Sequence, residues 1–116
     1  MSWDAYCALP SAKFVGLYGL DAKNLVWGKK GNFSPKAGEL AKITTAGPGT
    51  LVSYDGTKMM IIKDSEGCLF AASSELCLVF KKLKKCAMVV IGDKSKKDKL
   101  IEECNNYTKP LIDGGY

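Results

Sequence analysis

The chain contains no histidine and no arginine. Without histidine, Ser-His-Asp and Cys-His nucleophilic sites and His-ligated metal sites are excluded in their usual forms. Without arginine, all 17 basic residues are lysines, and no guanidinium group can grip a carboxylate or phosphate through two parallel hydrogen bonds. We therefore expect no enzyme, no metal site, no cofactor and no base-specific recognition of nucleic acid.

Long apolar segments are also missing. The longest apolar runs span only a few residues, such as 87–91, whereas a membrane-spanning helix needs about 20. The first four residues carry no basic region ahead of an apolar stretch, so they do not form a secretory signal. A length of 116 residues is enough for one domain, residues 1–116, with its own core. We expect a soluble protein of the cytoplasm.

The five cysteines, at positions 7, 68, 77, 86 and 104, form no C-x-x-C pair. This spacing argues against a zinc site. An odd number of cysteines without a secretion signal favours reduced thiols in the cytosol, each serving as a small buried apolar residue. The sequence leaves open whether Cys7 is exposed and oxidisable.

The net charge of +5 is unevenly distributed. Residues 81–99 contain eight lysines against Asp93 and Asp98, a net +6, so the rest of the chain sums to −1. Such a segment attracts acidic proteins, nucleic acid or anionic lipid headgroups. The alternative is a solvated face that only keeps a small protein soluble.

Hydrophobic patterns and turn signals predict helices at both ends of the chain and seven strands between them. The Asp55-Gly56 pair is a strong signal for a tight hairpin turn. All connections are short, so neighbouring strands should pair antiparallel in an α+β fold. The predicted elements are a helix at 2–9, strands at 13–20 and 24–28, a helix from Ser34-Pro35, strands at 50–54, 57–63, 68–72, 75–82 and 85–92, and a C-terminal helix.

The C-terminal helix is predicted from a capping box at residues 95–98 and from an apolar stripe. Proline in a helix interior removes a hydrogen bond, so the helix should kink at Pro110 or stop at Lys109. The stripe consists of Leu100, Cys104, Tyr107 and Leu111.

The order of these elements, together with specific residues, resembles the profilin family over the whole chain. No single motif is specific, but their order and spacing are. The matching residues are Ser2-Trp3-x-x-Tyr6, Gly19-Leu20-Asp21, Val26-Trp27, Asp55-Gly56-x-Lys58, Ile61-Ile62-Lys63-Asp64, Val89-Val90-Ile91-Gly92 and Gly115-Tyr116. The resemblance implies a central antiparallel sheet of six to seven strands, with the N- and C-terminal helices on one face and a short helix on the other.

Profilins are cytosolic, cytoskeletal proteins that bind monomeric actin, proline-rich segments and phosphoinositides. The resemblance implies a groove for proline-rich peptides between the terminal helices. Aromatic side chains suit a polyproline II helix, because that peptide is already extended before it binds. Taken singly, each aromatic residue is better explained by ordinary packing, but the match of four of them to one family groove reverses that preference. The implied groove residues are Trp3, Tyr6, Trp27, Leu111 and Tyr116.

The sequence departs from the family where many profilins place a histidine or tyrosine facing the peptide. Pro110 stands there, and Tyr107 one turn earlier either compensates or belongs to the core. We therefore expect polyproline binding that is weakened or altered rather than lost.

The resemblance also implies an actin-binding surface on the later strands and at the start of the last helix. Lysines suit the acidic face of actin, and charge steering raises the association rate more than the affinity. Around Ala71 and Ser73, however, the basic residues common in profilins are missing, which should weaken actin binding. The implied contacts are Lys58, Ile61, Lys63, Glu75, Cys77, Lys96 and Lys97.

The lysine cluster around a predicted hairpin turn is the candidate phosphoinositide site. It comprises Lys81, Lys82, Lys84 and Lys85. The principal interpretation is a monomeric actin-binding regulator of polymerisation that does not bind nucleic acid. The alternative is a basic module that binds anionic membranes or nucleic acid on the same fold without actin activity.

Overall fold

The computed structural model describes residues 3–20, 25–33, 35–36, 38–45, 49–65 and 68–116, and for residues 63–65 it describes the backbone. A 3-10 helix, Trp3–Cys7, begins the described chain, and a second one, Lys94–Lys96, leads directly into the last helix. The remaining elements are β1 Phe14–Gly19, β2 Val26–Lys30, α1 Glu39–Thr45, β3 Leu51–Tyr54, β4 Thr57–Ser65, β5 Cys68–Ala72, β6 Leu76–Lys82, β7 Cys86–Asp93 and α2 Lys97–Asp113.

The seven strands form one antiparallel sheet in the order β2-β1-β7-β6-β5-β4-β3. Strands β4 to β7 follow one another as hairpins, as their short connections predicted. The chain then places β7 beside β1, which brings the C-terminal half of the protein against its N-terminal strand. The predicted α+β class and seven-stranded antiparallel sheet are confirmed.

Both faces of the sheet are covered, which explains why its central strands are apolar without interruption. In β7, alternate side chains enter two separate buried clusters. Cys86, Met88 and Val90 lie on the face covered by the N-terminal 3-10 helix and α2. Ala87, Val89 and Ile91 lie on the opposite face, which Leu40 and Ile43 of α1 cover. The expected placement of the helices is therefore confirmed.

Helix α1 begins at Glu39, later than the predicted start at Ser34-Pro35. The cause is Gly38, whose φ of +84° is incompatible with a right-handed helix. Ser34, the predicted cap, lies outside the described residues. Instead, the Glu39 carboxylate turns back and accepts a hydrogen bond from the Lys36 backbone N–H at 2.6 Å.

Two N-terminal elements also differ from their predicted bounds. The first is a 3-10 helix over Trp3–Cys7 instead of a helix at 2–9. Strand β2 runs two residues further than expected, to Lys30, because residues 29 and 30 continue the pairing with β1. The Lys30 ammonium then donates hydrogen bonds to the carbonyl oxygens of Leu9 and Ala12, which fixes the connection between the 3-10 helix and β1.

Helix α2 does not use the predicted capping box at 95–98. Its N-cap residue is Lys96, which makes no side-chain capping bond, because residues 94–96 form a 3-10 turn. The helix continues through Pro110 to Asp113, so the predicted stop at Lys109 is wrong. The predicted apolar stripe is confirmed, with Leu100, Cys104 and Leu111 buried and Tyr107 partly buried against them.

All five cysteines are buried thiols. Burial and, to a smaller extent, the nearby Asp4 carboxylate raise the pKa of Cys7 to about 12, although a backbone hydrogen bond with Leu17 opposes the shift. Cys7 is therefore neither exposed nor activated as a nucleophile. Among the described helices, none is both long enough and apolar enough to span a membrane.

Candidate functional site

The backbone of the N-terminal 3-10 helix packs directly against Gly28 of β2. A Cβ atom at this position would lie 2.6 Å from the carbonyl carbon of Trp3 and 2.9 Å from the backbone nitrogen of Asp4. The Asp4 carboxylate also accepts a hydrogen bond from the backbone N–H of Lys29 at 2.8 Å. The absence of a side chain at residue 28 and this hydrogen bond hold Trp3 directly over the sheet.

Four aromatic side chains from distant parts of the chain meet at this point. The ring centroid of Trp3 lies 5.8 Å from that of Tyr6 and 5.1 Å from that of Trp27. Trp3 also meets Tyr116 edge-to-face, with 5.1 Å between centroids and an interplanar angle of 88°. We call Trp3, Tyr6, Trp27 and Tyr116 the aromatic cluster. The structure brings together the four aromatic residues that the family resemblance implied.

The C-terminal residue is held in this cluster by backbone hydrogen bonds. The Tyr116 N–H donates to the carbonyl oxygen of Leu111 at 3.0 Å, which folds the chain back over the end of α2. A backbone oxygen of Tyr116 accepts a hydrogen bond from the N–H of Lys85, in the connection between β6 and β7. Tyr116 nevertheless remains 38% exposed as a residue, so part of it is accessible to a ligand.

Leu111, the fifth residue implied for the groove, is not on the surface. Its side chain is only 1% exposed and belongs to the buried cluster between α2 and the sheet. It therefore supports the aromatic cluster from below and cannot contact a peptide directly, which corrects the expectation. Tyr107 packs against the same buried cluster and stays partly exposed, whereas Pro110 is exposed on α2.

The chemistry of the aromatic cluster suits an apolar ligand that carries hydrogen-bond acceptors. Trp3, Tyr6 and Trp27 are each partly exposed, and their rings are tilted against one another rather than stacked in parallel. Indole N–H and phenol O–H groups can donate to carbonyl oxygens, while the ring faces contact aliphatic rings. Proline residues in an extended peptide offer both features.

The candidate phosphoinositide lysines surround the turn between β6 and β7. We call residues 81–85 the lysine hairpin. Lys82, Lys84 and Lys85 are exposed, whereas the Lys81 ammonium donates to the side-chain oxygen of Asn105 at 2.8 Å. Among the described residues, an ion pair at 3.0 Å joins Lys13 and Asp93 and involves no hairpin lysine. The hairpin thus presents three cations to solvent.

The residues implied for actin binding divide into exposed and buried ones. Lys58, Glu75, Lys96 and Lys97 are exposed, and the Lys97 ammonium lies 5.4 Å from the ring centroid of Phe70. Two other implied contacts are buried. Ile61 is 4% exposed and Cys77 is 0% exposed, so neither side chain can be a direct contact, which corrects those assignments. The Lys63 side chain lies outside the described part of the structure.

Exposed apolar residues on neighbouring strands were missed by the sequence reasoning. Met60 and Ile62 of β4 are 54% and 60% exposed, and Leu51 of β3 pairs with Met60 and is also exposed. Met60 pairs with Ala72 of β5, whose side chain lies on the sheet face that α2 covers. Successive residues of a strand point to opposite faces of the sheet, so the neighbour of a buried Met59 is expected on the other face. This alternation could have identified Met60 as a surface candidate. A register irregularity between Ile61 and Lys63 hides the pattern further along β4.

A family model described as Profilin matches residues 1–116. The chain belongs to the profilin family. No curated protein sequence is significantly similar to it. The relationship is therefore evident from the family pattern and the fold rather than from overall identity with a characterised protein.

Solved profilin structures share this fold at low sequence identity. Schizosaccharomyces pombe profilin is 17% identical, with a TM-score of 0.81, and the match covers 99% of this chain and 100% of that one. Mouse profilin IIa, solved with a double repeat from the FH1 domain of mDia1, is 17% identical with a TM-score of 0.71, covering 97% and 95%. LokiProfilin1, solved in complex with rabbit actin, is 16% identical with a TM-score of 0.70, covering 95% and 90%.

Proposed function

We propose that this profilin is a single-domain, non-enzymatic cytoplasmic protein that binds monomeric actin and recruits it to proline-rich assembly factors. The observation that carries the proposal is the aromatic cluster, in which Trp3 contacts Tyr6, Trp27 and Tyr116 at centroid distances of 5.1 to 5.8 Å. Solved relatives of the same fold are complexes with an FH1 repeat and with actin, which supports both partners.

The aromatic cluster would hold a proline-rich segment in its polyproline II conformation. The peptide has little conformational entropy to lose, because proline fixes its backbone before binding. Trp3 lies at the centre of the cluster, so its removal would separate the other three rings. Leu111 keeps α2 packed on the sheet below, and Tyr107 supplies a further aromatic edge one turn before the exposed Pro110.

Actin would bind the sheet face that carries Met60, together with the start of α2. Lys96 and Lys97 supply positive charge there, and Met60 and Ile62 supply exposed apolar surface. Cationic side chains at the rim accelerate association with an acidic partner, and apolar contacts at the centre slow dissociation. By covering one end of the monomer, the protein would suppress spontaneous nucleation and deliver monomers to growing filaments.

The lysine hairpin would bind phosphoinositides at the membrane surface. Each lysine near an anionic bilayer contributes about 1 kcal/mol of attraction, and the three exposed lysines act together. The same hairpin supports a second candidate function, in which the protein is a basic module for anionic membranes or nucleic acid without actin activity. In that case the lysine hairpin would carry all binding and Trp3 would not contribute.

Titration with a synthetic proline-rich peptide, followed by intrinsic tryptophan fluorescence and calorimetry, tests the proposal. We expect Trp3→Ala to weaken binding by about tenfold or more, because a central aromatic anchor is lost. Leu51→Ala, which removes an exposed apolar side chain from β3, serves as the matched control and should leave the affinity unchanged. Unchanged affinity in a folded Trp3→Ala variant would reject the aromatic cluster as the peptide site.

A further inference from the structure

Two of the five cysteines meet between the sheet and the C-terminal helix. Cys68 is the first residue of β5, and Cys104 lies on α2. Both belong to the same buried cluster, and their thiols are hydrogen-bonded to each other. The Cys68 thiol also donates to the side-chain oxygen of Asn105, with 3.3 Å between Sγ and Oδ1. The contact therefore joins two elements that are far apart in sequence.

The other thiols are placed differently. Cys77 Sγ lies 3.6 Å from the carbonyl oxygen of Asp93, and Cys86 Sγ lies 3.9 Å from that of Tyr116. These contacts are to backbone oxygens, which offer no second sulfur for a disulfide. Cys68 and Cys104 are thus distinguished from Cys77 and Cys86 by facing another thiol.

We propose that Cys68 and Cys104 form an intramolecular disulfide when the protein encounters a hydroperoxide, and that thiol reductants reverse it. The two sulfur atoms, already in hydrogen-bonding contact, must approach to about 2.05 Å. The resulting bond would tie the start of β5 to the middle of α2 and hold that helix on the sheet.

A lysine stands beside this pair. Lys81 of β6 is the register partner of Cys68, and its ammonium donates to the same Asn105 oxygen that Cys68 contacts, at 2.8 Å. The hydrogen bond with Cys68, followed by burial, raises the pKa of Cys104, and the nearby Lys81 ammonium opposes this rise. The raised pKa keeps the Cys104 sulfur protonated, so oxidation of the pair is slow.

The chemistry balances with the hydroperoxide as the only oxidant. The Cys68 thiol loses its proton as its sulfur attacks one oxygen of hydrogen peroxide. An S–O bond forms, the O–O bond breaks, and the departing hydroxide takes up that proton as the first water. The Cys104 sulfur then attacks the Cys68 sulfenic acid, the S–S bond forms, and the S–O bond breaks with loss of water. In total, two thiols and one hydrogen peroxide give one disulfide and two waters.

Thiol counting in the full chain tests the proposal. The reduced protein, treated with hydrogen peroxide, is unfolded with urea, reacted with N-ethylmaleimide and weighed by mass spectrometry. We expect three maleimide adducts after oxidation in place of five before it, and five again after treatment with dithiothreitol. Chymotrypsin cleaves after Phe70 and so separates Cys68 from Cys77, which allows tandem mass spectrometry to identify the bonded pair.

The variants distinguish this pair from other pairings. Cys68→Ser and Cys104→Ser should keep all four remaining adducts after peroxide, whereas the matched control Cys77→Ser should lose two of four. Three results would overturn the proposal. They are the loss of two adducts in Cys68→Ser, sulfinic acid in place of the disulfide, and five adducts in the peroxide-treated wild-type protein. If a variant does not fold, the peptide map of the oxidised wild-type protein still shows which two cysteines are joined.

Discussion

The ring of Trp3 meets the ring of Tyr116 edge-to-face, with centroids 5.1 Å apart, although the two residues stand near opposite ends of the described chain. The contact exists because Gly28 has no side chain, so the backbone of Trp3 can lie directly on β2. It also requires that Tyr116 turn back over α2, where its N–H donates a hydrogen bond to the Leu111 carbonyl oxygen. The two ends of the chain thus build one surface, and the placement of each can be tested separately.

Gly28→Ala should displace the N-terminal 3-10 helix and weaken peptide binding. The added Cβ would lie 2.6 to 2.9 Å from backbone atoms of Trp3 and Asp4, which cannot move without the helix. Such overpacking costs about 1–3 kcal/mol of stability and moves Trp3 away from Trp27. Peptide titration monitored by calorimetry, with the folded fraction measured by circular dichroism, checks this.

Gly16→Ala is the matched control for that variant. Its Cβ would lie 2.3 Å from the ring of Phe33, on the sheet face opposite the aromatic cluster. We expect it to lower stability while the folded protein keeps the wild-type peptide affinity. Equal affinities for the Gly28 and Gly16 variants would contradict the role of Gly28 in positioning Trp3.

Glu39→Gln should reduce stability and its dependence on pH. Although partial burial raises the pKa of Glu39, hydrogen bonds from the Lys36 N–H, the Ser53 hydroxyl and the N–H groups of Gly56 and Asp55 together lower it. Because the pKa is lower in the folded state, the stabilisation is present above the ordinary value of 4.5 and is lost as pH falls below it. At neutral pH the variant should lose about 1–3 kcal/mol, since four donors lose a charged acceptor.

Urea denaturation at neutral pH and at several values below pH 4.5 measures this effect of Glu39. Glu102→Gln, at an exposed position of α2, is the control and should follow the wild-type curve. A Glu39→Gln protein whose free energy of unfolding falls with acid as steeply as that of the wild type would disprove the assignment.

Replacing Lys82, Lys84 and Lys85 together by glutamine should greatly weaken binding to phosphoinositide vesicles. Three exposed lysines at about 1 kcal/mol each predict a loss on the order of a hundredfold. Raising the salt concentration should reproduce much of the loss in the wild type, because exposed charges are screened. Vesicle cosedimentation measures both effects.

A second triple variant controls for net charge. Lys29, Lys42 and Lys109 are exposed on other parts of the surface, and their replacement by glutamine removes the same charge. If this variant loses vesicle binding as strongly as the hairpin variant, attraction comes from overall charge and the lysine hairpin is no specific site.

Lys97→Glu should slow association with monomeric actin by about tenfold at low salt, because steering charges act mainly on the association rate. Lys97 stands at the start of α2 with its ammonium over the Phe70 ring. Lys109→Glu makes the same charge change near the far end of α2 and should have a small effect. Stopped-flow measurements of both variants test the position of the actin surface. Equal association rates for Lys97→Glu and Lys109→Glu would show that the surface does not include Lys97.

The strands could be predicted from the sequence because the central ones are short uninterrupted apolar runs and because their turns carry strong local signals. The start of α1 could not, because no local pattern indicates the positive φ of Gly38 or the hydrogen bonds that the N–H groups of Asp55 and Gly56 donate to the Glu39 carboxylate. Likewise, the irregularity after Ile61 decides which β4 residues reach the surface, and no local signal reveals it.

The members of the aromatic cluster were identified through family resemblance, since nothing in their spacing brings Trp3 to Tyr116. Their contact depends on the pairing of β1 with β2 and on the packing of α2, both of which are long-range features. Assigning binding residues by matching positions to the family has a limit, because a matched position does not determine which way its side chain points. Leu111, Ile61 and Cys77 were assigned in this way and are buried.

The most direct test of the proposed function is polymerisation of pyrene-labelled actin with increasing amounts of this protein, with and without a proline-rich assembly factor. We predict that the protein suppresses spontaneous assembly, that the factor restores it, and that Trp3→Ala suppresses assembly but is not rescued. Assembly that proceeds unchanged in the presence of the folded wild-type protein would contradict actin binding and favour a basic module acting through the lysine hairpin.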